Sequence, residues 1–327
     1  MKSALSTLCL IGILASCNQN QSTEQESAVI NEPLAIIAVA VLSHDSLEGR
    51  GFGSTGNLKA REFLVNQFKA IGVPPALETG YEQGFSQTLS GRSRQRAFPI
   101  ENPGEDYSNV PDTTLYGGNI IARIEGKSDK IIVITGHLDH LGVRNGEIYN
   151  GADDDASGTA ALLAIADYFK DSTPNHTLVI AAVDGEEIGS PGCKFLANNF
   201  PGGIENVVLN VNMDMIAHND SLELWASGTY HYPQLKEPLT KIHTPLNLKF
   251  GHDKPDDKAE DDWTRSSDHR IFHDLKIPFI YFGVEDHEDY HRPTDTFENI
   301  NQAFYIDAVS LIINAIALYD ESLNQVK

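Results

Sequence analysis

The sequence predicts an α/β fold, a three-layer sandwich in which a mostly parallel central sheet lies between two layers of helices. From residue 119 onward, short apolar runs alternate with stretches of helical periodicity. These runs are apolar at every position instead of alternating with polar residues. Strands of that kind are buried on both faces, which is typical of parallel sheets covered by helices. The length of 327 residues allows one large domain or two small ones.

Two helices are predicted before the sheet begins. The segment 33–49 starts as a helix, and the segment 53–73 forms a second one that ends at Gly72. Apolar residues recur at helical spacing in the second segment, at Leu58, Phe63 or Leu64, Phe68 and Ile71. Residues 90–118 are rich in Gly, Pro, Ser and Arg, and we expect them to be irregular.

Strands and helices then alternate to the end of the chain. The predicted strands are 119–124, 130–135, 177–183, 207–213 and 277–284, and the predicted helices are 156–171, 192–200 and 301–319. Ligands of such sheets bind outside the carboxyl ends of the strands. Functional residues are therefore expected just after each apolar run.

The N-terminus has the pattern of an export signal. Residues 1–16 contain Lys2 and then an apolar run of about a dozen residues, too short for a stable membrane span. The sequence ending at Cys17 resembles the lipobox of bacterial lipoproteins, which implies a lipidated cysteine, a flexible tether over 17–30 and a single catalytic domain over 31–327. We expect a lipid-anchored protein of the bacterial cell envelope, facing the periplasm or the surface. The alternative is an ordinary signal peptide cleaved near Ser16.

Composition limits the classes of partner and the chemistry of cysteine. The net charge of −22 argues against nucleic acid and anionic membrane surfaces as partners. If Cys9 is removed and Cys17 is lipidated, Cys193 remains alone and no disulfide can form within the mature domain. We interpret Cys193 as a packing residue of a helix; the alternative is a nucleophile.

Acidic and histidine residues follow the predicted strands. They are His137 and Asp139, the run Asp153, Asp154 and Asp155, the pair Glu186 and Glu187, Asp214, and His291. Carboxylates and imidazoles without thiolates are suitable ligands for two hard or borderline divalent cations. Scattered surface acids would not follow strand ends in this way.

Each of these motifs has a simpler interpretation. The three acids at 153–155 could be a helix cap with first-turn acids, which accounts for one or two of them. In an extended backbone Glu186 and Glu187 would diverge, so that one binds metal and the other takes a proton, although an exposed acidic turn remains possible. The segment 287–291 matches the helical zinc motif H-E-x-x-H, but Pro293 follows it and no apolar stripe surrounds it.

The chain resembles the secreted dinuclear-zinc aminopeptidases, a family that also contains glutaminyl cyclases and the transferrin receptor ectodomain. The resemblance covers roughly residues 42–320 and rests on the ordered motifs GHLDHLG, NGADDDASG, DGEEIGSPG, NMDM, SSDHRIF and YHRPTD. It implies the zinc-exopeptidase, or phosphorylase/hydrolase-like, fold. It also implies a cis peptide after the bridging aspartate, between Asp154 and Asp155.

The resemblance further implies the role of each site residue. Asp154 bridges two zinc ions, while His137 and Asp214 complete one site and Glu187 and His291 complete the other. In addition, Glu186 is the general base and Asp139 is the partner that orients His137. His140 is interpreted as a pocket-edge or structural residue, and Asp268 as a residue that supports the site or contacts substrate. Zinc is the expected metal, although other divalent ions suit similar oxygen and nitrogen ligands.

The predicted function is that of a zinc-dependent aminopeptidase. It would remove N-terminal residues from peptides with a free N-terminus, using a water bound by both metals and Glu186 as base. A glutaminyl cyclase and a carboxylate-requiring dipeptidase or carboxypeptidase are alternatives on the same scaffold; for the latter, Arg265 or Arg292 would hold the carboxylate. A third alternative is a surface-binding lipoprotein without enzymatic activity. The acidic run 253–262 could favour cationic substrates, bind calcium weakly or form a solvated loop.

Overall fold

A mixed eight-stranded sheet forms the centre of the molecule. The computed structural model describes residues 28–90, 94, 111–255 and 261–323. The predicted signal peptide 1–16 and Cys17 lie outside the described residues. The strands are β1 (Glu82–Leu89), β2 (Thr113–Ile124), β3 (Ser128–His137), β4 (Gly142–Arg144), β5 (Glu147–Tyr149), β6 (His176–Val183), β7 (Val207–Met213), β8 (Glu223–Ser227), β9 (Asn247–Phe250) and β10 (Phe279–Gly283); β4 and β5 form a separate hairpin.

The middle of the sheet is parallel and its sides are mixed. The strand order is β1-β2-β6-β3-β7-β10-β8-β9. The four central strands β6, β3, β7 and β10 pair in parallel, whereas β1, β2 and β8 join by antiparallel pairing and β9 is parallel to β8. The central strands β6 and β10 are buried along their whole length, while edge strand β1 alternates between buried and exposed residues. This is the distribution expected for parallel and antiparallel strands, and it confirms the predicted fold class.

Helices cover both faces of the sheet. They are α1 (Glu32–Leu42), α2 (Thr55–Ile71), α3 (Gly158–Phe169), α4 (Pro191–Asn198), α5 (Lys236–Leu239), α6 (His269–Asp274) and α7 (Gln302–Ser322). α2 ends at Gly72, as predicted, where a φ of 91° suits glycine. Among the described helices, α7 has the length and hydropathy of a membrane span, but most of it is buried in the core.

Alternate residues of the central strands belong to two cores. Ile132 and Ile134 of β3 join the core that contains α1, α2, α3 and α7, whereas Ile131 and Val133 join the core that contains α4 and α6. Cys193 of α4 is fully buried in the second core, as expected for a packing residue. The alternation of β3 between two cores places one helical layer on each side of the sheet.

The prediction of irregular structure over 90–118 is wrong for its last part. Strand β2 begins at Thr113 and pairs with the full length of β1. Its first half, residues 113–118, includes two threonines and two glycines, so it lacks the unbroken apolar run that marks a buried strand. Residues 91–93 and 95–110 lie outside the described residues. Strands β8 and β9 were also not predicted, because both are short and only partly buried.

Candidate metal centre

Four parallel strands deliver the predicted site residues to one edge of the sheet. His137 is the last residue of β3, and Asp214 directly follows β7. Glu186 and Glu187 follow the end of β6, and His291 lies in the turn after β10. Because these strands run in the same direction, their carboxyl ends meet, as the sequence predicts.

The carboxylate of Asp154 lies between two groups of donor atoms. Its Oδ1 is 3.1 Å from His137 Nε2, which is 3.5 Å from Asp214 Oδ1. Its Oδ2 is 3.1 Å from His291 Nε2, which is 3.6 Å from Glu187 Oε1. Tetrahedral zinc with bonds of about 2.0–2.1 Å has neighbouring donor atoms about 3.3 Å apart. The geometry therefore suits one metal ion on each side of Asp154, and the roles of these five residues as ligands stay a prediction.

The electrostatics of the centre also suit a cation. Burial alone would raise the pKa of Asp154, but His140, His137 and His291 hold that pKa well below its ordinary value. The pKa of His291 is raised to about 10, because the carboxylates of Asp154 and Glu187 outweigh the opposing effect of burial. Metal ligands must lose such protons when they bind, so a divalent ion can replace the positive charge of the imidazolium groups.

Asp139 makes its hydrogen bonds with the turn after β6, and its role as the partner that orients His137 stays a prediction. Its carboxylate accepts hydrogen bonds from the backbone N–H groups of Gly185, Glu186 and Glu187, at 2.8, 2.9 and 3.3 Å. Its Oδ1 is 3.7 Å from His137 Nδ1, which is too long for a hydrogen bond. Instead, His137 Nδ1 lies 3.0 Å from the backbone carbonyl of Asp139. The main chain thus orients the ring of His137, and the Asp139 carboxylate shapes the turn that carries both glutamates.

Glu186 and Glu187 lie on a single 3₁₀ turn, Glu186–Ile188, and not on the extended backbone that was predicted. Their carboxylates still diverge, because Glu187 points to His291 while Glu186 Oε1 lies 3.9 Å from Arg270 Nη2. Burial raises the pKa of Glu186 well above its ordinary value, and the carboxylate of Asp268 raises it further. A raised pKa makes this carboxylate a stronger base than an ordinary glutamate.

The other two acids of the 153–155 run organise the backbone. The carboxylate of Asp155 accepts hydrogen bonds from the backbone N–H groups of His137, Gly158 and Met215, at 2.9, 2.9 and 3.3 Å. Asp153 accepts one from the N–H of Ala217 at 2.6 Å. The peptide between Asp154 and Asp155 is cis, as the family resemblance implied.

The segment 287–291 is a turn, so it cannot act as a helical H-E-x-x-H zinc motif. His291 lies beside Asp154, whereas His287 Nε2 pairs with Asp153 Oδ2 at 3.0 Å. His287 Nδ1 accepts a hydrogen bond from the N–H of Asp289 at 3.3 Å. Both ring nitrogens of His287 thus have contacts, and the residue joins the turn to the loop of Asp153.

Two buried residues outside the predicted set hold the loop that carries Asp154. The guanidinium of Arg50 donates hydrogen bonds at 2.6 to 2.9 Å to the carbonyl oxygens of Leu42, Leu138, Asn150 and Gly151. The carboxylate of Asp295 accepts hydrogen bonds from the N–H groups of Asp153 and Asp154, at 2.9 and 3.1 Å. Asp295 lies in the YHRPTD motif, and this motif is the sequence feature from which its position near the site could have been inferred. Arg50 lies in the LEGRGFGSTG stretch, which is part of the family resemblance but does not mark the residue as buried.

A cavity of about 280 Å³ opens above the centre. Its lining includes His137, Asp154, Glu186, Glu187, Asp214, Asp261, Asp262, Trp263, Tyr281, Asp286, Tyr290 and His291. No arginine or lysine is among the described residues that line it. Arg265 is exposed and pairs with Asp274, and Arg292 is exposed. Asp268 is buried beneath the site, where burial raises its pKa to about 6.

Comparison with known proteins identifies the family of the chain. The pattern of Peptidase family M28 matches residues 119–316, more than half of the chain. A "Probable zinc metalloprotease" of Pyrenophora teres f. teres is 32% identical over 251 residues, covering 70% of this chain and 52% of that protein. A protein of the same description from Pyricularia oryzae is 27% identical over 197 residues, covering 58% and 34%. The chain thus spans between about a third and a half of these relatives.

Solved structures show the same fold. An aminopeptidase from Aneurinibacillus sp. strain AM-1 superimposes with a TM-score of 0.65 at 17% identity, covering 88% of this chain and 93% of that one. A glutaminyl cyclase from Fimbriiglobus ruber superimposes with a TM-score of 0.65 at 17% identity, covering 90% and 97%. At such identities, the likeness establishes the architecture alone.

Proposed function

The chain belongs to peptidase family M28, and we propose that within this family of zinc peptidases it is an aminopeptidase that works with two zinc ions. The observation that carries the proposal is the position of Asp154, whose two oxygens face two separate groups of donor atoms. His137 and Asp214 hold the first ion with Asp154. Glu187 and His291 hold the second.

Glu186 is the proton carrier of the proposed reaction. When bound, the two ions lower the pKa of the attacking water and polarise the peptide carbonyl. The carboxylate of Glu186 takes the proton of that water and returns it to the leaving amine, which its raised pKa favours. Tyr290 lines the same cavity, and its hydroxyl is available to donate a hydrogen bond to the developing oxyanion.

The charge of the cavity supports action at the N-terminus of a peptide. Asp261, Asp262 and Asp286 add negative charge to the carboxylates of the centre, and no arginine or lysine is among the described lining residues. A free α-ammonium group is attracted to such a cavity, whereas a C-terminal carboxylate is repelled. This favours an aminopeptidase over a peptidase in which Arg265 or Arg292 would hold the C-terminal carboxylate of the substrate.

A glutaminyl cyclase is the second candidate, because one solved structure of that activity superimposes over nearly the whole chain. Both activities act at a peptide N-terminus. They differ in the product, which is a free amino acid in one case and a cyclised N-terminal glutamine in the other.

The test is a panel of aminoacyl-anilides with the full chain, purified in mild detergent and supplied with zinc. N-acetylated anilides are the matched control, and a peptide with N-terminal glutamine reports cyclisation. Hydrolysis of free but not acetylated substrates, with a ranking by side chain, is the expected result. Cyclisation without hydrolysis would establish the second candidate, and cleavage of acetylated substrates would contradict exopeptidase action.

The N-terminal sequence supports a proposal about location. Export through residues 1–16, followed by lipid attachment at Cys17, would place the catalytic domain 31–327 in the bacterial cell envelope, facing the periplasm or the surface. The polar tether over 17–30 would allow the domain to reach peptides beyond the membrane surface.

A further inference from the structure

His140, in the GHLDHLG motif, is a buried histidine whose ring nitrogens have no hydrogen-bond partner. Its exposed fraction is 2%, and neither Nδ1 nor Nε2 makes a hydrogen bond with the described residues. A buried polar atom without a partner costs about 1–3 kcal/mol. Such atoms are rare in native proteins and call for a specific explanation.

The neighbours of His140 Nδ1 are ligands of the proposed second ion. Nδ1 is 3.0 Å from Glu187 Oε1 and 3.5 Å from Asp154 Oδ2. Glu187 Oε1 is itself buried and makes no hydrogen bond. The two atoms are close enough to bind the same cation, and His140, Asp154 and Glu187 together form a group of potential metal ligands. The side-chain atoms of His140, Glu187 and Asp154 are therefore suitably placed to bind one cation together.

We propose that His140 Nδ1 is a fourth protein ligand of the second zinc ion, together with Asp154, Glu187 and His291. The inference rests on the two-ion centre proposed above. The distances among the four donors that the structure gives lie between 3.0 and 3.6 Å, close to the spacing of about 3.3 Å around tetrahedral zinc.

The fourth ligand makes the two ions inequivalent. The first ion has three protein ligands, an arrangement that leaves an open position for water or substrate. The second ion would have four protein ligands, the number found in structural zinc centres, and would bind the attacking water as a fifth ligand. The second ion is therefore expected to be held more tightly and to exchange more slowly than the first.

Packing alone does not account for the presence of a histidine at position 140. The ring of His140 packs against Gly151 so closely that a Cβ at Gly151 would lie 2.5 Å from it. An apolar ring would fill this space equally well without burying two unpartnered nitrogens. What distinguishes His140 from a packing residue is that Nδ1 lies beside two carboxylates, Glu187 and Asp154, that are themselves predicted ligands of the second ion.

The first test is zinc affinity, measured by competition with a chromogenic chelator. His140→Phe keeps the ring volume and removes both nitrogens. His269→Phe is the matched control, because His269 is equally buried and its Nδ1 also lacks a hydrogen bond, but it lies outside the donor groups. We expect two ions in the wild-type chain and in the control. In His140→Phe, the tighter ion should lose at least about 10–100-fold in affinity.

The second test is independent of how well the variant folds. In the wild-type chain loaded with ¹¹³Cd and labelled with ¹⁵N-histidine, NMR should show coupling between one cadmium and Nδ1 of His140. Unchanged affinity in His140→Phe, or no such coupling in the wild type, would overturn the inference. A wild-type chain that binds a single ion would instead refute the two-ion centre, and this would be evident before any variant is compared.

Discussion

At the residue scale, the acidic run 153–155 divides into one candidate metal ligand and two backbone anchors. Asp154 faces the histidines, while Asp153 and Asp155 accept hydrogen bonds from main-chain N–H groups. Three neighbouring acids therefore need not share one cation to be stable. Because two of them fix the surrounding loops, the position of Asp154 is set by the protein before metal binds.

The first prediction concerns the proton carrier. Glu186→Gln keeps the size of the side chain but cannot take a proton, so kcat should fall by about 10²–10⁴-fold. The variant should retain two zinc ions, because Glu186 is not among the five predicted ligands. Metal content and steady-state rates on an aminoacyl-anilide measure both effects. A rate near that of the wild type would remove Glu186 from the mechanism.

The second prediction concerns acid stability. Burial lowers the pKa of His269 to about 3, from an ordinary value of 6.5, although the backbone carbonyl of Trp263 opposes this effect. Between these two pH values the unfolded chain binds a proton that the folded chain does not. The free energy of unfolding therefore falls as the pH decreases from about 7 towards 3, by at most about 1.4 kcal/mol per pH unit from this residue.

His269→Gln should remove this contribution. Between pH 7 and pH 5, the metal-free variant should lose about 2 kcal/mol less of its free energy of unfolding than the wild type. Urea denaturation at both pH values, with a chelator present, is the measurement. An equal loss in the variant and the wild type would show that His269 does not carry the effect.

At the element scale, the loop that carries Asp154 depends on contacts from distant parts of the chain. Arg50, in the 3₁₀ turn Asp45–Arg50, ties α1, the residue after β3 and the Asn150–Gly151 loop together. Asp295 binds the same loop from the other side. The site is thus built on elements that are far apart in sequence.

The third prediction tests this role of Arg50. Arg50→Gln leaves several buried carbonyl oxygens without a donor, so the free energy of unfolding should fall by at least about 3 kcal/mol. Arg265→Gln is the control, because Arg265 forms an exposed ion pair with Asp274 and should contribute less than about 1 kcal/mol. Chemical denaturation of both variants gives the comparison. An equally small decrease in the free energy of unfolding of both variants would mean that Arg50 does not hold the loop.

The strands that the sequence could predict are those that are buried on both faces along their whole length. β6 and β10 are buried on both faces and appear as unbroken apolar runs. β1 and the first half of β2 lack an unbroken apolar run and are partly exposed, and they become strands by pairing with each other. In the same way, His137, Asp214 and His291 were predicted because they follow apolar strands. The roles of Arg50 and Asp155 could not be predicted in this way, because these roles arise from hydrogen bonds with residues that are distant in the sequence.

At the scale of the whole molecule, the parallel strands bring distant residues together. His137, Glu187 and Asp214 follow three neighbouring strands, β3, β6 and β7. Because each motif directly follows a strand, the order of the motifs along the chain is enough to predict that they meet at one edge of the sheet. The same arrangement explains why the fold persists in solved structures that share few identical residues with this chain.

The fourth prediction concerns the N-terminal segment. If Cys17 carries lipid, the full chain should be found in the membrane fraction of a bacterial host, and Cys17→Ala should shift it to a soluble or unprocessed form. Cys193→Ala is the control, since Cys193 is buried in the domain and should not affect fractionation. Fractionation with immunoblotting is the measurement. A wild-type chain that is soluble after export would favour an ordinary signal peptide.

The central claim is that one carboxylate, Asp154, lies between two metal ions. Anomalous diffraction at the zinc absorption edge, from crystals of the zinc-loaded chain, tests it most directly. The account predicts two peaks about 3.5–4 Å apart, one beside His137 and Asp214 and the other beside Glu187, His291 and His140. A single peak, or a second peak away from Asp154, would contradict it.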